Sequence, residues 1–79
     1  MKSVALYTRK GCHLCDVVKA VLDEERARTP FELVIVDIDE SASLKADYGT
    51  LIPVVFVDNV EVARYRIDRE KFRAALEQP

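Results

Sequence analysis

The hydrophobic pattern changes period twice between Val4 and Val36, and that double change constrains the fold more than any other feature of the chain. Val4-Ala5-Leu6-Tyr7 is a short apolar run that stops at the polar Thr8-Arg9-Lys10-Gly11, as a strand does where it runs into a loop. Leu14, Val17, Val18, Val21 and Leu22 then recur at i, i+3, i+4, i+7 and i+8. This spacing predicts an amphipathic helix that buries Leu14, Val18, Val21 and Leu22 and continues to about Arg28, with Pro30 just beyond as a stop. Leu33-Val34-Ile35-Val36 is apolar without alternation, as expected of a strand covered on both faces in a parallel sheet, and Asp37-Ile38-Asp39 closes it. Strand, helix and strand in that order make a βαβ unit.

Beyond it, Ser41 is placed to cap a short helix carrying Leu44 and Tyr48, with Gly49 as its C-terminal glycine. Val54–Val57 and Val60–Ala63 flank Asp58-Asn59, two residues that tolerate positive φ, so these runs predict an antiparallel hairpin with a tight turn. Asp68 caps a last helix with Phe72, Ala75 and Leu76 facing inward, and Glu77-Gln78-Pro79 fray away from it. The predicted order is βαβαββα. An apolar content of 49% with only 2 Gly and 3 Pro excludes disorder, and no linker or internal repeat interrupts the pattern, so residues 1–79 are expected to form a single domain.

A chain this short buries roughly 60 to 65% of its unfolded surface, which leaves a small core and puts any active site at the surface. Twelve Lys and Arg against fourteen Asp and Glu give a net charge of −2, no footprint for nucleic acid or for an anionic membrane. The apolar run before Thr8-Arg9-Lys10 is too short for a signal peptide, and no run approaches the roughly 20 apolar residues of a membrane span. The expectation is a cytoplasmic protein, in a compartment where a cysteine pair is more often catalytic or metal-binding than structural.

The chain's two cysteines lie in Gly11-Cys12-His13-Leu14-Cys15, where the first loop turns into the first helix. Residues three apart on a helix bring their Cβ atoms to roughly 5 to 6 Å, and a disulfide needs Cα atoms about 4.4 to 6.8 Å apart, so this pair can open and close with little backbone movement. The free N–H groups and positive dipole end of a helix N-terminus stabilise an anion, and thiols in such motifs have pKa values lowered from about 8.5 to roughly 3.5 to 7.5. At about 100° per residue Cys15 falls beside Leu22 at the edge of the buried stripe, while Cys12 points to the wet side. Position therefore makes Cys12 the nucleophile and Cys15 the resolving thiol.

Two other readings stand beside this one. The pair can be two helix-start cysteines without redox work, or it can hold metal. Zinc wants four ligands, and the only further candidate, His13, is adjacent to Cys12 and turned away, so no complete site forms within one chain. A metal or iron-sulfur centre shared between two subunits, each giving Cys12 and Cys15, is the rival.

Around the pair, His13 is expected to tune the Cys12 thiolate through its charge, and Lys10, ahead of Arg9, to steer an anionic substrate. Asp16, Asp37 and Asp39 read as structural, two closing a strand and one in a helix's first turn. The Arg64-Tyr65-Arg66 stretch suits either a ligand carboxylate or simple alternation on an edge strand.

Three motifs carry a family resemblance that covers essentially the whole chain: Tyr7 to Cys15, Leu51-Ile52-Pro53-Val54 before a hairpin strand, and the Val57-Asp58-Asn59 turn. With them the chain resembles a glutaredoxin-like member of the thioredoxin superfamily. The resemblance implies an α/β, thioredoxin-like fold of glutaredoxin type, a four-stranded mixed sheet flanked by three helices. It implies a cis Pro53 that faces the cysteines, an Ile52 backbone that pairs with bound peptide or glutathione, and thiol-disulfide exchange through Cys12 and Cys15. The departures are Cys12-His13-Leu14-Cys15 where glutaredoxins commonly carry C-P-Y-C, and Tyr65-Arg66-Ile67-Asp68 where they carry Gly-Gly-x-Asp. Asp68 matches and the glycines do not, which weighs against glutathione, since glycine lets a ligand approach the backbone closely. The expected protein is a monomer without metal or organic cofactor, reduced by a thioredoxin-reductase-like enzyme or by glutathione, and acting on protein or low-molecular-weight disulfides.

Overall fold

The computed structural model describes residues 1–79, and its elements follow the predicted order: β1 (Ser3–Thr8), α1 (His13–Arg28), β2 (Glu32–Asp37), α2 (Ala42–Tyr48), β3 (Val54–Val57), β4 (Val60–Arg64) and α3 (Arg69–Glu77). The sheet runs β2-β1-β3-β4. β1 and β2 are parallel, as a helical crossover requires, while β3 is antiparallel to both β1 and β4. Asp58 and Asn59 form the hairpin turn at φ 46° and 69°, the positive values for which their short polar side chains are suited. Asp58 also ties the turn to the start of β1 by accepting from the Ser3 N–H at 2.9 Å and pairing with Lys2 at 3.2 Å. The Ser3 bond, then Lys2, hold its carboxyl below the ordinary range.

Alternation assigns the two sheet faces. Val4, Leu6, Val55 and Val57 meet Val18 and Leu22 of α1, Phe72 of α3 and Phe31 in one fully buried cluster. The other face carries Tyr7 and Phe56, with ring centroids 4.7 Å apart, and Tyr48 of α2 closes over them at 5.0 Å from Tyr7. Burying both faces of the central strands supplies most of the driving force for folding, at about 25 cal/mol per Å² of apolar surface. No helix is long and apolar enough to cross a membrane.

Four local expectations are corrected. Leu14 and Val17 are 53% and 51% exposed, and α1 instead buries Cys15, Val18, Leu22 and Glu25. The stripe is rotated because Glu25, a residue no apolar pattern includes, is drawn inside by Arg69 and Arg73 of α3 at 3.0 and 2.7 Å. Val34 and Ile35 are also largely exposed, because β2 is the edge strand and both layers of helices centre on β1 and β3. Gly49 ends α2 at φ −54°, so it is not a left-handed cap; a Cβ there would come within 2.6 Å of the Lys45 carbonyl oxygen, and close approach is what requires glycine. Finally, Ile38–Glu40 forms a turn of 3-10 helix, and Ile38 is fully buried where a strand end was expected.

Candidate functional site: a disulfide at the start of the first helix

The register places the site. Tyr7 pairs with Val54 and Val54 with Arg64, so the loop after β1, the segment before β3 and the segment after β4 converge at one end of the sheet. Gly11 turns the first of these at φ 80° with open space around its missing Cβ, so conformation alone demands glycine there.

A disulfide joins Cys12 and Cys15 across a Cα separation of 5.2 Å. Cys12 is the N-cap of α1, extended at φ −85° and ψ 105°, and its Sγ accepts the Cys15 N–H at 3.1 Å, one of the donors a helix start leaves free. Cys12 is half-buried, while Cys15 is 2% exposed. The sheltering of Cys15 is more complete than its expected place at the stripe's edge, because rotation of the stripe moves it inward.

His13 and Lys10 are exposed beside the disulfide, and Lys10 makes no ion pair. Arg9 is committed to Asp39, with contacts of 2.5 and 3.2 Å. The Arg9 hydrogen bond holds the Asp39 carboxyl below its ordinary range, and Asp39 in turn keeps the guanidinium firmly cationic. Of the two cations, Lys10 is the one free to meet a substrate. No group of three or more His, Cys, Asp or Glu is gathered to hold a metal ion.

Across the gap, the Ile52-Pro53 peptide bond is cis and Pro53 is buried. The Pro53 carbonyl accepts the Tyr65 N–H at 2.7 Å, whereas the half-buried Ile52 has no hydrogen-bond partner for its N–H or its C=O. An N–H and C=O left open in an extended segment are what a further strand pairs with. Asp68 is spent on α3, accepting from the N–H groups of Glu70 and Lys71 at 2.9 and 3.3 Å.

Tyr65, read from the sequence only as part of the Arg64-Tyr65-Arg66 stretch and as a departure from a Gly-Gly pair, has a conformation that reading did not anticipate. It does not continue an alternating edge strand: β4 ends at Arg64, and Tyr65 sits at φ 70° in a three-residue turn closed by the Arg66 N–H and the Arg64 carbonyl at 2.8 Å. A left-handed conformation costs a residue with a Cβ roughly 1 to 2 kcal/mol, and no signal in the sequence marks an aromatic residue for it. Two surface clefts, of about 550 and 530 Å³, lie along β4 and α3, and neither is lined by a cysteine.

The sequence pattern of the family described as "Glutaredoxin-like domain (DUF836)" matches residues 3–77. An uncharacterized protein of Mycobacterium tuberculosis is 34% identical over 78 residues, spanning 92% of this chain and 80% of that protein. A Nitrosomonas europaea protein solved by NMR superposes with a TM-score of 0.82 at 31% identity, over 92% of this chain and 88% of its own. Thioredoxin 1 of Thermosipho africanus, at 14% identity and a TM-score of 0.64 over 95% and 90% of the two chains, shares the fold.

Proposed function

This chain belongs to the glutaredoxin-like domain family and has a thioredoxin-like fold, and on that premise we propose that it is a dithiol oxidoreductase working through Cys12 and Cys15. The observation that carries the reading is the asymmetry of the pair. One sulfur caps a helix at the surface and the other, bonded to it, is buried. In the reduced protein the Cys12 thiolate attacks one sulfur of a substrate disulfide, forming a mixed disulfide and expelling a substrate thiolate. The Cys15 thiolate then attacks Cys12 Sγ, restoring the Cys12–Cys15 bond and releasing the second substrate thiol. Two electrons pass to the substrate, and the leaving thiolates take up two protons from solvent.

The Ile52 backbone holds an extended substrate segment, while Pro53 shapes the site and Lys10 and His13 bias the surface toward thiolates and other anions. Substrates are protein or low-molecular-weight disulfides. Electrons return from a reductase dithiol, of thioredoxin-reductase type in preference to glutathione, so that a cytoplasmic monomer takes part in redox homeostasis and electron transport without metal or organic cofactor. Cys15→Ser provides the test: it should accumulate mixed disulfides on Cys12 that dithiothreitol releases, and Cys12→Ser should accumulate none. Equal trapping by both variants, or by neither, would overturn the reading.

A further inference from the structure

Three non-glycine residues have positive φ. Asp58 and Asn59 belong to a hairpin turn that suits them, but Tyr65 is bulky and has no such excuse. The bonds that determine its conformation are backbone bonds, from its own N–H to Pro53 and from Arg66 to Arg64, and glycine would make both without strain. The ring is not a core residue either, since Tyr65 is 45% exposed. The fold thus holds an aromatic side chain in a disfavoured conformation without burying it, and strain of this kind concentrates where ligands are gripped. The backbone bond to Pro53 fixes that ring's root next to Ile52, whose N–H and C=O are open.

We propose that Tyr65 determines substrate specificity, its ring packing on the polypeptide that flanks a substrate disulfide while that polypeptide pairs with Ile52. The inference rests on the oxidoreductase reading above. A small disulfide carries no flanking chain and gains nothing from the ring, so Tyr65 selects polypeptide disulfides over low-molecular-weight ones through binding, not through sulfur chemistry.

The experiment compares wild type with Tyr65→Gly, Tyr65→Asn and Tyr65→Phe on two substrates, a short disulfide-bridged peptide and bis(2-hydroxyethyl) disulfide. Glycine and asparagine both accept the left-handed turn, so folding is preserved while the ring is lost. Removing the ring should raise KM for the peptide about tenfold, the scale of one well-placed aromatic contact, with kcat unchanged. Both constants for the small disulfide should stay within about twofold, the same contact being absent there. Tyr65→Phe should keep wild-type values. Equal changes on both substrates, or no change on either, would make Tyr65 a structural residue and overturn the proposal. Wild type that turns over neither substrate would overturn the oxidoreductase reading instead. Peptide binding, followed by amide shifts at Ile52 in wild type and Tyr65→Gly, then decides the role of Tyr65: weaker binding in the variant supports it and equal binding overturns it.

Discussion

Cys12 and Cys15 are chemically unlike because one residue spacing puts them in different solvents. Cys12 caps α1 and its sulfur already accepts an amide N–H, so a thiolate formed there keeps a charge-assisted hydrogen bond, whereas Cys15 would have to ionise in the core. Alkylation of the reduced protein should therefore show Cys12 reacting first, with an inflection below the free-cysteine value of about 8.5, and Cys15 reacting slowly at every pH up to it. Tyr65 makes the converse point, that a residue can be unsuited to its own backbone. Because φ 70° excludes β-branched side chains most strongly, Tyr65→Val should be less stable than Tyr65→Gly by about 1 kcal/mol or more in urea unfolding.

Among the elements, the pairing of α1 with α3 depends on one carboxylate. Glu25 is buried and takes hydrogen bonds from Arg73 at 2.7 and 2.9 Å and from Arg69 at 3.0 Å. The Arg73 bond, with Arg69 behind it, pulls its pKa from 4.5 to about 2 against the opposing effect of burial. A depressed carboxylate binds its proton more readily in the unfolded chain, so this stabilisation is complete above pH 4.5 and is lost as pH falls through about 2. Unfolding free energy should decline across that window in wild type and much less in Glu25→Gln. The variant itself should lose about 2 kcal/mol at neutral pH, a discounted figure because both arginines remain partly in water. At the opposite edge of the sheet, β2 presents Val34 to solvent, and Val34→Lys should change stability by less than about 0.5 kcal/mol, where a strand covered on both faces would lose several times more.

At the scale of the molecule, three loops brought to one sheet end assemble a disulfide, an open stretch of backbone and an exposed aromatic ring. The turn before α3 carries the Tyr65 and Arg66 side chains where the resemblance to glutaredoxins leads one to expect two glycines, and on the proposed reading glutathione with glutathione reductase should restore the reduced dithiol far more slowly than a flavoprotein reductase of thioredoxin type. Parallel assays of the two systems rank them directly, and matching rates would contradict the expectation. Element order, the βαβ unit, the hairpin turn and the caps Ser41 and Asp68 were all legible in the chain, because each depends on residues within a few positions of one another. The cysteine pair was legible for the same reason, its three-residue separation bringing the two Cα atoms to 5.2 Å even though Cys12 caps the helix in an extended conformation instead of lying within it. The true buried face of α1, the exposure of β2, the commitment of Arg9 to Asp39 and the turn at Tyr65 were decided only in the folded molecule. Each depends on a partner distant in sequence: Glu25 on Arg69 and Arg73, β2 on a strand order that leaves it at the edge, Arg9 on a residue beyond β2, and Tyr65 on the carbonyl of Pro53. Local periodicity contains no term for a charge, a sheet edge or a hydrogen bond supplied from elsewhere in the chain, and those are what the tertiary structure added.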